Sequence, residues 1–282
     1  MTELGLTSYA YYWACRPDAD WNGKGRPMGP LDLIGRTAEL GLNVLQICEN
    51  VPTFSPSDDR QVGALREKGD AVGVRLELGC RAQTAETLRP AVAQAAALGS
   101  GLLRVVPWSG KARRSDRGGS ELVTALTAVL PDCERLRVRL AIENYFDLSD
   151  AELVDLVAGL DSEWVGVVLD TANSVGRLSD PLETAQTLAR YAISVHLKDF
   201  EVTKPPIGYR VSGTPLGEGL LDVAATLGAV FASSHRPALL IELWVDPETD
   251  PAATLRKEDD WVIRSVDYAR RALQATHRPA GA

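Results

Sequence analysis

Four short apolar runs in the second half of the chain each end in a side chain that is costly to bury alone. Arg-Leu-Ala-Ile runs into Glu143, Val-Gly-Val-Val-Leu into Asp170, Ile-Ser-Val into His196, and Ala-Leu-Leu-Ile into Glu242. A single carboxylate after such a run usually marks only where a strand surfaces. The set says more. Three carboxylates and one imidazole gathered in one small volume repel strongly in a low dielectric unless something neutralises them. A divalent cation does so, and three oxygen donors with one imidazole suit Mn2+, Mg2+, Co2+ or Zn2+.

Side chains two places beyond three of these ends, Tyr145, Lys198 and Trp244, point to the same interior by strand alternation. Lys198 has two readings. Beside a cation its pKa should fall, which makes it a proton donor; otherwise it pairs with Asp199 or another loop acid. Trp13, Trp108 and Trp244 sit at the ends of strand runs, where tryptophans either stack on the apolar face of a sugar ring or pack loops. Glu49 ends the second run and faces the same space. Arg210 either clamps a substrate hydroxyl or carbonyl or stands on the surface.

The elements that must position these groups recur along all 282 residues. Apolar, β-branched-rich runs at Leu4–Tyr9, Asn43–Cys48, Gly73–Leu78, Gly101–Val106, Val138–Ile142, Trp164–Leu169, Ile193–Leu197 and Ala238–Ile241 predict strands buried on both faces, as in a parallel sheet. Helical patterns lie between them. Pro30–Leu40 stops at Gly41 and Thr84–Leu98 at Gly99, both glycines in the C′ position. Ser149-Asp-Ala-Glu152 has capping-box spacing ahead of Leu153–Leu160, and Asp180-Pro-Leu-Glu183 repeats it with proline at the first helical position. Pro251–Ala275 is the last helix.

Strand and helix thus alternate eight times with no linker, which predicts a single α/β domain, a (β/α)8 barrel over residues 1–275, with 276–282 as a frayed tail. The connections Ala10–Gly29 and Phe200–Gly219 fall over the C-terminal mouth, where such barrels build active sites. Strands five and eight lie three steps apart on the ring, about 135° around it. Glu143 and Glu242 therefore face each other across whatever binds there.

Composition narrows the function. With 38 acidic against 30 basic residues the formal net charge is −8, which argues against nucleic acid or an anionic membrane as partner. No apolar run reaches the roughly 18 residues of a membrane span, and Met1-Thr-Glu-Leu lacks the features of a secretory signal. A cytoplasmic location is expected. The four cysteines, Cys15, Cys48, Cys80 and Cys133, read as reduced thiols. A thiolate zinc site from the first three would lack the close-spaced pairs usual in such sites.

The motifs Ile-Glu143-Asn-Tyr, Leu-Asp170-Thr-Ala-Asn, Val-His196-Leu-Lys-Asp and Ile-Glu242-Leu-Trp resemble those of the xylose isomerase-like TIM-barrel superfamily, over essentially the whole chain. Within it the resemblance is strongest to the sugar epimerase and isomerase branch that includes D-tagatose 3-epimerase and hydroxypyruvate isomerase. This implies Glu143, Asp170, His196 and Glu242 as ligands of a divalent metal ion, Mn2+ foremost. It also implies that Glu143 and Glu242 double as acid/base groups. The segment Pro205–Gly219, which holds Arg210, resembles the lid of that branch. One position departs from the pattern: the epimerase motif Asp-Thr-x-His ends here in Asn173, which donates a hydrogen bond but carries no charge.

The function expected first is a metal-dependent isomerase or epimerase of a small ketose or keto-sugar derivative, by proton transfer through a metal-stabilised enediolate. The alternative is a lyase of the same fold, a keto-sugar dehydratase like the inosose dehydratases or an enzyme eliminating the aglycone of a 3-keto-glycoside; Asn173 and Lys198 favour it. A metal-free sugar-binding or partner subunit is a third reading, opposed by the intact donor set. The endonuclease IV branch needs several histidines for its three zinc ions. Only His196 is well placed here, since His235 lies at the barrel's far end and His277 in the tail, so that function is excluded. The expected partners are a small-molecule carbohydrate, unphosphorylated for want of a phosphate-cradling glycine loop, and further copies of the chain in a dimer or tetramer.

Overall fold

In the computed structural model, which describes residues 2–52, 54–107, 118–233 and 235–276, the eight strand runs pair side by side in parallel. They are β1 (Leu4–Thr7), β2 (Val44–Ile47), β3 (Arg75–Arg81), β4 (Leu102–Val106), β5 (Arg139–Glu143), β6 (Val165–Asp170) and β7 (Ala192–Leu197), closed by β10 (Ala238–Ile241). The ring order is β1-β10-β7-β6-β5-β4-β3-β2. Closure is direct: Leu6 of β1 lies opposite Ile241 of β10 and Leu45 of β2. The expected (β/α)8 barrel is the observed fold.

The helices are α1 (Pro30–Glu39), α2 (Asp59–Val72), α3 (Ala85–Leu98), α4 (Gly118–Leu136), α5 (Asp150–Leu160), α6 (Pro181–Leu188), α7 (Val223–Ala232) and α8 (Pro251–Thr276). Their ends obey the local chemistry read from the sequence. Gly41 and Gly99 take positive φ of 63° and 81° where α1 and α3 stop. Ser149 and Glu152 form a reciprocal capping box at α5. Asp180 caps α6 one way only, accepting from the backbone of Leu182 and Glu183. The residues expected to fray beyond α8, 277–282, lie outside the described residues.

Two interiors result. The main apolar core lies between the strands and the helices. Within the ring, alternation leaves two small apolar clusters, Val44 with Ala238 and Leu240, and Leu102 with Ala141 and Val168. These fill the floor. One alternation nearer the C-terminal ends, the inward positions turn polar: Gln46, Arg104, Glu143, Asp170, His196 and Glu242, all buried.

The segment that resembles a lid contributes to a hairpin. Strands β8 (Asp199–Thr203) and β9 (Arg210–Thr214) pair antiparallel above the mouth. Asp199 anchors it, since its carboxylate accepts the backbone N–H groups of Phe200, Gly217, Gly219 and Leu221. Asp199 is thereby committed to the backbone and is no partner for Lys198. Gly213 on β9 must be glycine, because a Cβ there would fall inside the contact radius of the Trp244 carbonyl. The hairpin is pressed onto the end of β10.

Candidate active site

The four strand-end residues converge as their spacing predicts. Glu143, Asp170 and His196 each offer a donor atom within 4.8 Å of the others'. His196 Nδ1 lies 3.2 Å from Glu242 Oε2, 3.7 Å from Glu143 Oε2 and 3.9 Å from Asp170 Oδ2. Asp170 Oδ2 meets the Lys198 ammonium at 2.8 Å, whereas His196 Nδ1 is buried and makes no hydrogen bond. Buried polar atoms are rarely left so. A ring nitrogen and a carboxylate oxygen turned to one point, with two more carboxylates beside them, fit a divalent cation. The cysteines form no such cluster among the described residues and are free thiols.

The orientation of His196 is set from across the barrel. Its Nε2 lies 3.0 Å from Gln46 Oε1, while Gln46 Nε2 donates to Glu77 Oε2 at 2.9 Å and Arg75 grips Glu77 Oε1 at 2.6 Å. With the amide nitrogen committed to Glu77, its oxygen is left to accept, and the ring carries hydrogen on Nε2. The Nδ1 lone pair then faces the carboxylates. Burial works against a charged ring, but Glu242 foremost, with Glu143 and Asp170, raises its pKa. The pull on a proton at Nδ1 is the pull a cation would feel. Gln46→Ala is accordingly expected to weaken divalent-metal binding about 10- to 100-fold while leaving the fold intact; an unchanged affinity in metal titration would reduce Gln46 to packing.

Lys198 lies inside the site. Its Nζ sits 2.8 Å from both Asp170 Oδ2 and Glu242 Oε1, and 4.4 Å from the Trp244 ring centre. Burial pushes its pKa down, but Asp170 and Glu242 outweigh that and hold the ammonium protonated. Burial likewise pushes Glu242 up, yet Lys198 and His196 keep it well below the usual carboxylate range.

Glu143 is held at both oxygens. Arg104 Nε donates to Oε2 at 2.5 Å and Asn173 Nδ2 to Oε1 at 2.8 Å. Asn173 thus faces one of the clustered carboxylates. Its own position follows from Asp170, whose Oδ1 accepts the backbone N–H groups of Ala172 and Asn173. Glu242 differs: Oε2 takes the Thr7 hydroxyl at 2.8 Å and Oε1 meets the Lys198 ammonium.

A cavity of about 360 Å³ opens above these groups, lined by Glu143, Glu242, Lys198, Asn173, Tyr145 and Trp244, with Trp13 at its rim. Trp13 is fixed through its indole N–H on the Val245 carbonyl and its backbone N–H on Glu258. Glu258 is wholly buried in α8, and burial pushes its carboxyl up to about 8. Trp108 lies outside the described residues.

Two expected substrate contacts are not among the residues lining the cavity. Arg210 stands at the rim, 61% exposed and paired at 2.6 Å with Asp246, which does line the cavity. Glu49 is also absent from the lining; it bridges Arg81 at 2.6 Å and Arg104 at 3.1 Å. Sequence reasoning missed Arg104, Gln46 and Glu77. Their signal was a polar residue at an inward position within an otherwise apolar strand run.

A family model described as a xylose isomerase-like TIM barrel matches residues 34–271. The chain is 28% identical over 269 residues to a 3-oxo-isoapionate decarboxylase of Pectobacterium atrosepticum, covering 94% of each. It is 26% identical over 254 residues to an L-ribulose-5-phosphate 3-epimerase of Salmonella paratyphi C, covering 86% of this chain and 78% of that one. Its fold matches D-psicose 3-epimerase from Clostridium cellulolyticum H10 with a TM-score of 0.72 at 18% identity, over 97% of this chain and 99% of that one.

Proposed function

Because the chain belongs to the xylose isomerase-like TIM-barrel family, we propose that this enzyme is a divalent-metal-dependent lyase that decarboxylates a small oxo sugar acid. Glu143, Asp170, His196 and Glu242 would hold the cation, with Mn2+ and Mg2+ the best match to three carboxylates and one imidazole. When bound, it supplies positive charge beside the substrate oxygens that become an enediolate.

The chain's own residues set the outcome. In the reaction the carbon–carbon bond to the carboxyl group breaks, carbon dioxide leaves, and the electron pair delocalises into the neighbouring carbonyl. The carbon left behind needs one proton, from one side. Lys198 Nζ, protonated and lining the cavity, delivers it and recovers a proton from water. Trp244 packs against the ammonium and holds it in place.

The observation that carries this reading is that both glutamates are held while a single ammonium reaches the cavity. Epimerisation needs a proton carrier on each face of the substrate. Glu143 has both oxygens engaged by Arg104 and Asn173, and Glu242 has both engaged by Thr7 and Lys198, which suits fixed ligands and leaves the Lys198 ammonium to carry a proton on one face. The 28% identity to a decarboxylase over 94% of both chains supports the same choice. Epimerisation of a small ketose is the second reading, supported by Glu143 and Glu242 both lining the cavity and by the epimerase relative.

The test is direct. Metal-loaded enzyme is incubated in D2O with a 3-oxo aldonate, and separately with L-ribulose and D-psicose. Carbon dioxide release, with one deuterium in the product, is expected from the acid alone. Epimer formation from either ketose, with no carbon dioxide from the acid, overturns the lyase reading in favour of the second.

A further inference from the structure

We propose that Glu258 is a positioning residue: from α8 it fixes Trp13 as the partition between the reaction cavity and a larger cavity beside it. The inference rests on the first cavity being the substrate's seat and on neither reaction in particular.

Glu258 occupies a core position. It falls between Thr254 and Val262 on the buried stripe of α8 and is itself wholly buried. Apolar side chains fill such positions at no electrostatic cost, whereas a buried carboxyl group destabilises a fold unless its oxygens are answered. Among the described residues no cation answers it. The backbone does so instead: Oε1 accepts the Trp13 N–H at 2.7 Å and Oε2 the Ala14 N–H at 2.9 Å. One carboxyl group meeting two consecutive N–H groups sets both where that piece of chain lies and how it is turned. The next residue of α8, Asp259, grips the same connection, accepting the Tyr11 hydroxyl at 2.7 Å and Arg36 at 2.8 Å. Two neighbouring acids of one helix thus hold positions 11, 13 and 14 of the chain after β1.

What they hold is a wall. The reaction cavity, about 360 Å³, and a second of about 730 Å³ between the β1 connection and the start of α8 share Trp13. Tyr12 lines the first, and its ring meets the indole at right angles, 5.3 Å between centres. Arg16 lines the second, its guanidinium carbon 5.4 Å from the indole centre. The indole N–H donates to the Val245 carbonyl at 2.7 Å. The ring is therefore tied at its tip by the chain after β10 and at its root by α8. With both ties made, the reaction cavity ends at the indole, which limits the size of what it holds. With the root released, a substrate is less closely confined and the way opens to the second cavity, lined by Arg16, Pro247, Glu248 and Leu255.

Trp13 emission tests the positioning without a substrate. The difference between wild type and Trp13→Phe isolates it, and the same difference is taken within Glu258→Gln and Glu258→Met. Glutamine is isosteric and keeps one oxygen, so that variant is expected to fold; methionine suits the core position and answers neither N–H. In both, Trp13 emission should shift to longer wavelength and be quenched more readily by acrylamide, most of all in Glu258→Met. Kinetics test the consequence, with metal-loaded enzyme and whichever of the 3-oxo aldonate, L-ribulose and D-psicose turns over. Glu258→Gln should raise KM roughly 5- to 10-fold with kcat within about twofold, the mark of binding lost equally from ground and transition states. In a Trp13→Ala background the same change should add nothing, because the two residues act as one. Unchanged Trp13 emission in the folded variants overturns the proposal. So does a KM penalty of equal size in both backgrounds, which would make Glu258 a support of α8 alone. With no substrate turned over the emission still decides, so a failed reaction assignment and a failed positioning role are told apart.

Discussion

Lys198→Met is expected to lower kcat by about 10²- to 10⁴-fold, the usual worth of a positioned proton donor. Methionine keeps the length of the stem and its contact with Trp244, so the cavity wall survives. What is lost is the ammonium that lies 2.8 Å from both Asp170 and Glu242. The same change leaves those two buried carboxylates without their shared ammonium. Their repulsion should make the variant's thermal stability depend more strongly on added divalent metal. Measured at saturating metal, kcat separates the two effects. Turnover within threefold of wild type would show that Lys198 serves only to neutralise the site.

The second large effect concerns the cation. A divalent metal at a hundredfold excess over its Kd should stabilise the wild-type fold by about 2.7 kcal/mol, a rise of roughly 5–10 °C in Tm for a domain of this size. His196→Ala removes the nitrogen that faces Glu143, Asp170 and Glu242, and it orphans the Gln46 amide oxygen. The variant should fold, since its floor layers are untouched, and it should lose most of the metal-induced rise together with its activity. An equal rise in Tm for wild type and His196→Ala would remove His196 from the donor set.

The parts legible in the sequence share a physical cause. Each barrel strand is buried on both faces, so its run stands out as continuous apolar sequence, and a residue such as Glu143 or His196 at its end is conspicuous by contrast. The eight strands and the converging donor set were read for that reason. Arg104 was not, because Leu-Leu-Arg-Val-Val still reads as an apolar run with one blemish. Its meaning depends on Glu49, just past β2 two strands away in the ring, and Glu143, on the adjacent β5, which lie 55 and 39 residues away in the chain. Gln46 was hidden likewise by its place inside Val-Leu-Gln-Ile.

The hairpin was obscured by its own turn. Pro205, Pro206 and Gly208 advertise an irregular loop, and the short alternation on either side is mostly exposed. Arg210 was left open between clamp and surface cation because its partner, Asp246, follows the last strand and is adjacent only once the barrel has closed. Lys198 was resolved by the same closure. Its neighbour in sequence, Asp199, is saturated by four backbone N–H groups, so its charge is answered by acids from β6 and the end of β10.

The order of the strands along the chain has a consequence for how the protein is made. Three donors stand on β5, β6 and β7, but Glu242 follows β10, the strand that also seals the ring against β1. A chain emerging from the ribosome therefore exposes a row of acids on an open sheet before its last side chain arrives. Until then Asp170 has Lys198 at hand, from the strand beside it, as an internal counter-charge. The fourth acid and the closed sheet thus arrive in the same step, near the end of synthesis.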